Sequence, residues 1–265
     1  MKKILQHMVI WLVLIFLYLP ILILAVYSFT DSTMIGSIRQ FSLENYITLF
    51  TEEELLQMMG GTINLAIGVA ILSTLLGTIG AIGLFYSKKR VMQTMDIINE
   101  IPVANADVVT GFSICVFLVV VLGMDKATYI PLVIAQTVLC TPFVYLSVMP
   151  RLKMMDGALY EAALDLGSTP SHALRKVIIP QILPGITSGF LTAITLSLDD
   201  YFIATYTKPA TFNTISTYVV NATKGAQTKI KTALWALSTI IFLVVVLMVV
   251  IINIRANKME EEAHA

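Results

Sequence analysis

Six predominantly apolar, uncharged runs dominate this chain, and each is long enough to cross a lipid bilayer. They are Met8–Thr30, Leu55–Ser87, Val108–Met124, Ala127–Pro150, Val177–Leu198 and Thr232–Ile254. A hydrocarbon core about 30 Å thick takes ~20 such residues as helix. In water they would expose more apolar surface than a fold could bury, and together they fill most of the 265 residues. Only 13% of the residues are charged and 57% are hydrophobic, against roughly 25% charged in an average soluble domain. The expected fold class is therefore all-α: a polytopic membrane protein with six transmembrane helices in one domain, 1–265. The spans are placed at roughly 8–30, 61–86, 102–124, 128–150, 180–206 and 232–254, with a cytoplasmic loop at 151–179.

Orientation follows from Lys and Arg, which collect on the cytoplasmic side of membrane proteins. With the N-terminus inside, the inner segments carry Lys2, Lys3, Lys88, Lys89, Arg90, Arg151, Lys153, Arg175, Lys176, Arg255 and Lys258, eleven of the 17 basic residues. Both termini are then cytoplasmic. A signal peptide is the rival reading of the N-terminus, but its apolar run exceeds the usual 7–15 residues and Tyr27 spoils a small-x-small cleavage site. Residues 1–30 are accordingly read as an uncleaved, peripheral helix. Cys115 and Cys140 sit inside apolar runs and suggest no metal site.

Pro20, Pro102, Pro131, Pro142, Pro180 and Pro184 stand in or beside the spans. Each removes a backbone donor, which membranes tolerate where neighbours or water satisfy the freed carbonyl. In the first outer loop Ser42 is placed to cap a short amphipathic helix, and Glu52, Glu53 and Glu54 to open another.

The loop between spans four and five is built differently from its surroundings. Asp156 can cap a helix running to Leu166, and Gly167 supplies the left-handed residue that ends it. Ser168 and Thr169 then form a turn and a second cap, with Pro170 at the first helical position. On the first helix Leu159, Ala162, Ala163 and Leu166 share one face, while Glu161 and Asp165 share another. Taken alone, this is either a docking element for a partner or an amphipathic helix stabilising its own bundle.

At these residues the chain resembles the permease subunits of bacterial binding-protein-dependent ABC importers, whose cytoplasmic motif is E-A-A-x(3)-G-x(9)-I-x-L-P. Glu161, Ala162, Ala163, Gly167 and Pro180 match it, while Val177 and Ile179 replace its Ile and Leu. Within that family the likeness is to the second permease subunit of spermidine/putrescine uptake systems, through "LPILILAVYSF", "FSLENYITLF", "NADVVTGFSI" and "LSLDDYFIATY". The resemblance implies a type I ABC importer permease fold in the bacterial inner membrane, importing a polyamine. It makes the loop a coupling element, with Glu161, Ala162, Ala163, Asp165, Gly167, Ser168 and Pro180 serving a cytoplasmic ATPase. The implied partners are a second homologous permease, two ABC ATPase subunits and an extracytoplasmic substrate-binding protein, with no nucleic acid. No cofactor is expected on this chain, ATP and Mg belonging to the ATPase.

Ionisable residues inside a membrane cost about 2.5–3.5 kcal/mol on insertion scales and mark pathways. Asp107 opens span three, and Asp199 and Asp200 lie near the outer end of span five. With Tyr201, Tyr206 and Trp235 as aromatic neighbours, they form a candidate path for a cation with methylene spacers. Two alternatives remain: span five ends at Leu198 and leaves both acids at the interface, or the acids pair with bases on a partner. The chain has no G-x-x-x-x-G-K-[ST] loop, H-E-x-x-H pair or G-x-S-x-G elbow, so it is not read as an ATPase or hydrolase. A permease for another small solute, or an ion-coupled secondary transporter, are the rival functions.

Overall fold

The computed structural model describes residues 2–31, 40–224, 232–243 and 246–247. Among them, regular structure is helical, apart from one antiparallel bridge between Thr30 and Phe41. Four helices are long and apolar enough to cross a membrane: His7–Ser28, Glu53–Phe85, Ile130–Met154 and Pro170–Asp199. A bent pair, Lys89–Ala104 followed by Asp107–Val121 at 102°, has the length and hydropathy of a fifth if the two helices are counted together. The span expected over 232–254 is described as the helix Thr232–Leu243, and its remainder falls largely outside the described residues. The chain, expected as one domain, divides into two units, Met1–Gln57 with Val219–Ala265, and Met58–Tyr218.

In the first unit, α1 (Lys2–Ser28) carries Pro20 within it and exposes every residue from Met8 to Leu19. Such a surface suits lipid. The short helix α2 (Glu44–Thr51) is tied to the end of α1 by Asn45, whose Nδ2 donates to the carbonyls of Ser28 (3.0 Å) and Thr30 (2.9 Å). Ser42 contributes to the cap of α2, its hydroxyl accepting the Glu44 N–H at 3.1 Å. The glutamate run at 52–54 opens the long helix α3 (Glu53–Phe85) itself, with no separate short helix. Negative charge there complements the positive end of the helix dipole.

The second unit is organised around α6 (Ile130–Met154), whose buried residues point in all directions. A helix apolar all round needs neighbours all round. In lipid those neighbours are recruited by close packing, because no hydrophobic force drives apolar helices together there. Small residues provide it. A Cβ added at Gly77 of α3 would lie 2.8 Å from Val144, and one at Gly189 of α9 (Ile179–Asp199) would lie 3.1 Å from the same side chain. Gly185, four residues before Gly189, approaches the carbonyl of Ser147 to 2.9 Å in the same sense. The two form a G-x-x-x-G seat for α6.

α4 (Lys89–Ala104) lies antiparallel against the second half of α6: Tyr145 donates a hydrogen bond to Asp96, Lys153 pairs with Asp96 at 3.4 Å, and Asn99 reaches the carbonyl of Pro142 at 3.4 Å. This helix occupies a stretch that lies largely between the second and third expected spans. The helix pair breaks at Asn105–Ala106. Both residues are extended there, at ψ of 151° and 132°, before α5 (Asp107–Cys115) and its π-helical continuation Val116–Val121.

Candidate functional site

Two places in the second unit carry the residues singled out from sequence. The first is the loop after α6. Its helix α7 (Ala158–Asp165) starts two residues after Asp156, whose Oδ1 accepts the Ala158 N–H at 2.9 Å. It ends on Gly167, at φ +85°. The Gly167 N–H donates to the Leu164 carbonyl (2.9 Å) and the Ser168 N–H to Ala163 (3.1 Å), the pair of bonds that defines a Schellman stop. Thr169 then accepts the His172 N–H on its hydroxyl at 3.4 Å and caps α8 (Pro170–Ala173).

From α8 the chain does not stop. A π-helical turn, Leu174–Ile178, leads into α9, so Pro170–Asp199 is one continuous rod. The wider turn accommodates Pro180, which has no N–H to continue an α-helical ladder. No residue of α7 is buried. Tyr160 holds the helix to its unit, its ring 5.2 Å from that of Tyr86. Glu161, Ala162, Asp165 and Gly167 are exposed, Ala163 and Ser168 half-buried, and Leu166 presents 88% of its surface.

The second place is the corner where α5 meets α10 (Phe202–Thr207). A Cβ at Gly111 would lie 3.1 Å from the Cα of Ile203, so the backbones nearly touch. Cys115 donates to the Tyr206 carbonyl at 3.1 Å, and the Phe112 and Tyr206 rings meet edge to face at 5.8 Å. Contacts that advance together, 111 with 203 and 115 with 206, mean that the helices run parallel. Their N-terminal ends, Asp107 on one and Asp199–Tyr201 leading into the other, therefore lie at the same end of the pair.

The adjacent acids of span five part company here. α9 ends at Asp199, which is exposed. Asp200 turns inward and is 8% exposed. Its Oδ1 accepts the Ile203 N–H (3.0 Å), and its Oδ2 accepts the Ala204 N–H (2.9 Å) and Gln136 Nε2 (2.8 Å). Gln136, fully buried, accepts Ser197 Oγ on its own Oε1 at 2.7 Å. Asp200 thus caps α10 and locks it to α6 and α9. Gln136 was missed in the sequence, where its signal was a lone amide in the apolar run "PLVIAQTVLC". Asp96 was missed as well, hidden among charges assigned to a loop.

Asp107 is exposed, and no described basic side chain pairs with it or with Asp199. Asp199 sits at the C-terminal end of α9, where the helix dipole is negative. Tyr201 is half-buried with its ring 5.2 Å from Phe202, and Tyr206 is held by α5. Trp235 lies in the other unit, edge-on to Tyr27 at 5.9 Å.

A bundle of apolar helices around α6, one of them broken, with an exposed capped helix on one loop, has the build of a membrane transport permease. The family model described as binding-protein-dependent transport system inner membrane component matches residues 1–259, and the chain belongs to that family. It is a transport subunit of the inner membrane, in a family of transport components. A spermidine/putrescine transport system permease protein PotC of Haemophilus influenzae is 28% identical over 253 residues, 96% of this chain and 98% of the relative. A putrescine transport system permease protein PotI of Escherichia coli is 32% identical over 197 residues, 72% of this chain and 70% of the relative. Among solved structures, a bacterial ABC transporter involved in import of the acidic polysaccharide alginate matches with a TM-score of 0.73 at 20% identity, covering 96% of this chain and 94% of that one. A second crystal structure, of an alginate ABC transporter in complex with its pentasaccharide-bound periplasmic protein, matches with a TM-score of 0.69 at 19% identity, covering 93% and 91%. At those identities the likeness concerns the fold.

Proposed function

We propose that this chain forms half of the transmembrane path of an ATP-driven importer of polyamines, with both termini cytoplasmic and a second, homologous permease as the other half. The observation that carries the reading is the corner at α5 and α10: two exposed carboxylates, Asp107 and Asp199, without a basic partner among the described residues, at the ends of two interrupted helices. At membrane depth a helix break is tolerated where it is buried in protein or lines water. Carboxylates there suit a solute carrying ammonium groups, whose methylene spacers lie against rings such as Tyr201. The relatives named for spermidine and putrescine support the same cargo. The shared fold does not select it, since the structural neighbour's cargo is an acidic polysaccharide.

The α7 loop is the coupling element in this reading. A helix with no buried residue, a protruding Leu166 and an acidic face formed by Glu161 and Asp165 is a surface for a cytoplasmic ATPase. Two such ATPases, one under each permease, bind ATP and Mg; this chain binds neither. Because the loop's second helix continues into α9 as one rod, a displacement at the loop is carried toward Asp199. An extracytoplasmic binding protein delivers the cargo.

The test is ATP hydrolysis by the full assembly in nanodiscs, with its binding protein and spermidine, putrescine or an unrelated solute. Stimulation by a polyamine alone supports the cargo. Equal stimulation by a neutral solute, or by none of the polyamines, rejects it while leaving family membership intact.

A further inference from the structure

We propose that the pocket between the 125–128 turn and the 208–211 loop anchors a carboxylate side chain of the extracytoplasmic binding protein. This rests on the importer reading, and it gives the partner a specific contact on this chain. The pocket measures about 500 Å³ and is lined by Lys126, Thr205, Lys208 and Thr211, with Ala127, Pro209 and Ala210 between them. It lies wholly within the second unit. Lys126 stands in the turn linking spans three and four and Lys208 in the loop after span five, the extracytoplasmic side in the charge-derived orientation.

The site is held in shape. Lys208 is half-buried, and its ammonium donates to the Phe212 carbonyl (2.7 Å) and to Asn213 Oδ1 (2.9 Å), both neutral acceptors. Phe212 is itself fixed, its ring edge-on to Tyr129 at 5.2 Å and pressed so close to Gly61 that a Cβ there would lie 2.6 Å from it. Lys126 is exposed. The acid beside it, Asp125, uses Oδ1 to hold the Ala127 N–H at 2.8 Å, and the ion pair found among the described residues, Lys153 with Asp96, is elsewhere. Two lysines thus line one pocket, with no carboxylate among its lining residues. Burial, and then the charge of Lys126, push the Lys208 ammonium below the usual lysine range.

An anion relieves that repulsion, and a cationic cargo does not. Three anion sources are conceivable: a carboxylate on a protein, a lipid phosphate and a free inorganic ion. The lining is mixed, with the hydroxyls of Thr205 and Thr211 beside Ala127, Pro209 and Ala210, and a carboxylate side chain brings a charge for the lysines and a short apolar stem for the rest. The family to which the chain belongs depends on a binding protein. One aspartate or glutamate side chain fits the chemistry of the pocket.

The experiment measures the affinity of the cargo-loaded binding protein for the full assembly in nanodiscs of zwitterionic lipid. Lys126→Glu is expected to weaken it roughly tenfold or more and to flatten its salt dependence, whereas Lys126→Arg leaves it near wild type. Because Lys126 makes no described intramolecular bond, its variants should fold. Lys208→Met is the second probe and should give a loss of similar size. Wild-type affinity in Lys126→Glu and Lys208→Met overturns the proposal. So does competition by inorganic phosphate alone that leaves docking intact, or a requirement for anionic lipid. If the unmutated assembly binds no binding protein, the importer reading fails first, which separates the two outcomes.

Discussion

The α7 loop and the corner between α5 and α10 are both exposed polar sites in one unit, yet they are made in opposite ways. Residues 156–172 build the loop from bonds that span two to five positions, and nothing in α7 is buried. The corner draws on residues 107, 111, 115, 136, 197 and 199–206, and beside the local cap of Asp200 its bonds join positions 61, 64 and 91 apart. A site made of local bonds is written as a spaced motif and can be read as one. A site made of long-range bonds exists only after α6 has gathered its neighbours.

The largest effect expected on the loop side comes from Gly167→Val. An L-residue at φ +85° costs about 1–2 kcal/mol, and the misdirected Ser168 N–H loses its carbonyl. Uptake should fall to background while the membrane subunits still co-purify; if uptake survives, the Schellman stop is not what presents the loop. In the α6 packing on which the corner depends, Gly185→Leu forces α9 off α6. Overpacking of this kind costs about 1–3 kcal/mol, to be read as a lower melting temperature in detergent with α7 cross-linking to the ATPase unchanged. Gln136→Leu comes next: it takes one of three partners from Asp200 and the partner of Ser197, a cost of about 1–3 kcal/mol. Thermal scanning should detect it, and an unchanged melting temperature would deny the Gln136 bond a structural role. Cys115→Ala, which removes one weak thiol bond to Tyr206, should shift stability by less than about 0.5 kcal/mol.

Among the described residues four of the six expected spans are helices long and apolar enough to cross a membrane, legible because bilayer thickness sets the length and hydropathy that a span needs. The errors fell where polar residues are paired inside the unit. "KKRVMQTMDIINE" lies between the expected spans, yet it is helical, and its Asp96 bonds Tyr145 and Lys153 on α6. Span five was drawn through to 206, but Asp200 breaks it by folding back to cap α10. Two identical neighbours, Asp199 and Asp200, gave no local hint of which faces outward. A hint lay further along: an aspartate three and four residues before Ile203 and Ala204 has the spacing of a helix cap. The coupling loop needed no such help, since Asp156, Gly167, Thr169 and Pro170 each act within their own turn.

Asp199 and Asp200 offer the most direct test of the account, because they are chemically identical and one bond apart in the chain. The measurement is putrescine uptake by the reconstituted assembly, paired with melting temperature, for Asp199→Asn and Asp200→Asn. The account predicts that Asp199→Asn loses uptake about tenfold or more at an unchanged melting temperature, as an exposed path carboxylate should. It predicts that Asp200→Asn lowers the melting temperature, because a buried cap is broken. Wild-type uptake in Asp199→Asn, or an Asp200→Asn protein that melts normally while failing to transport, would contradict it.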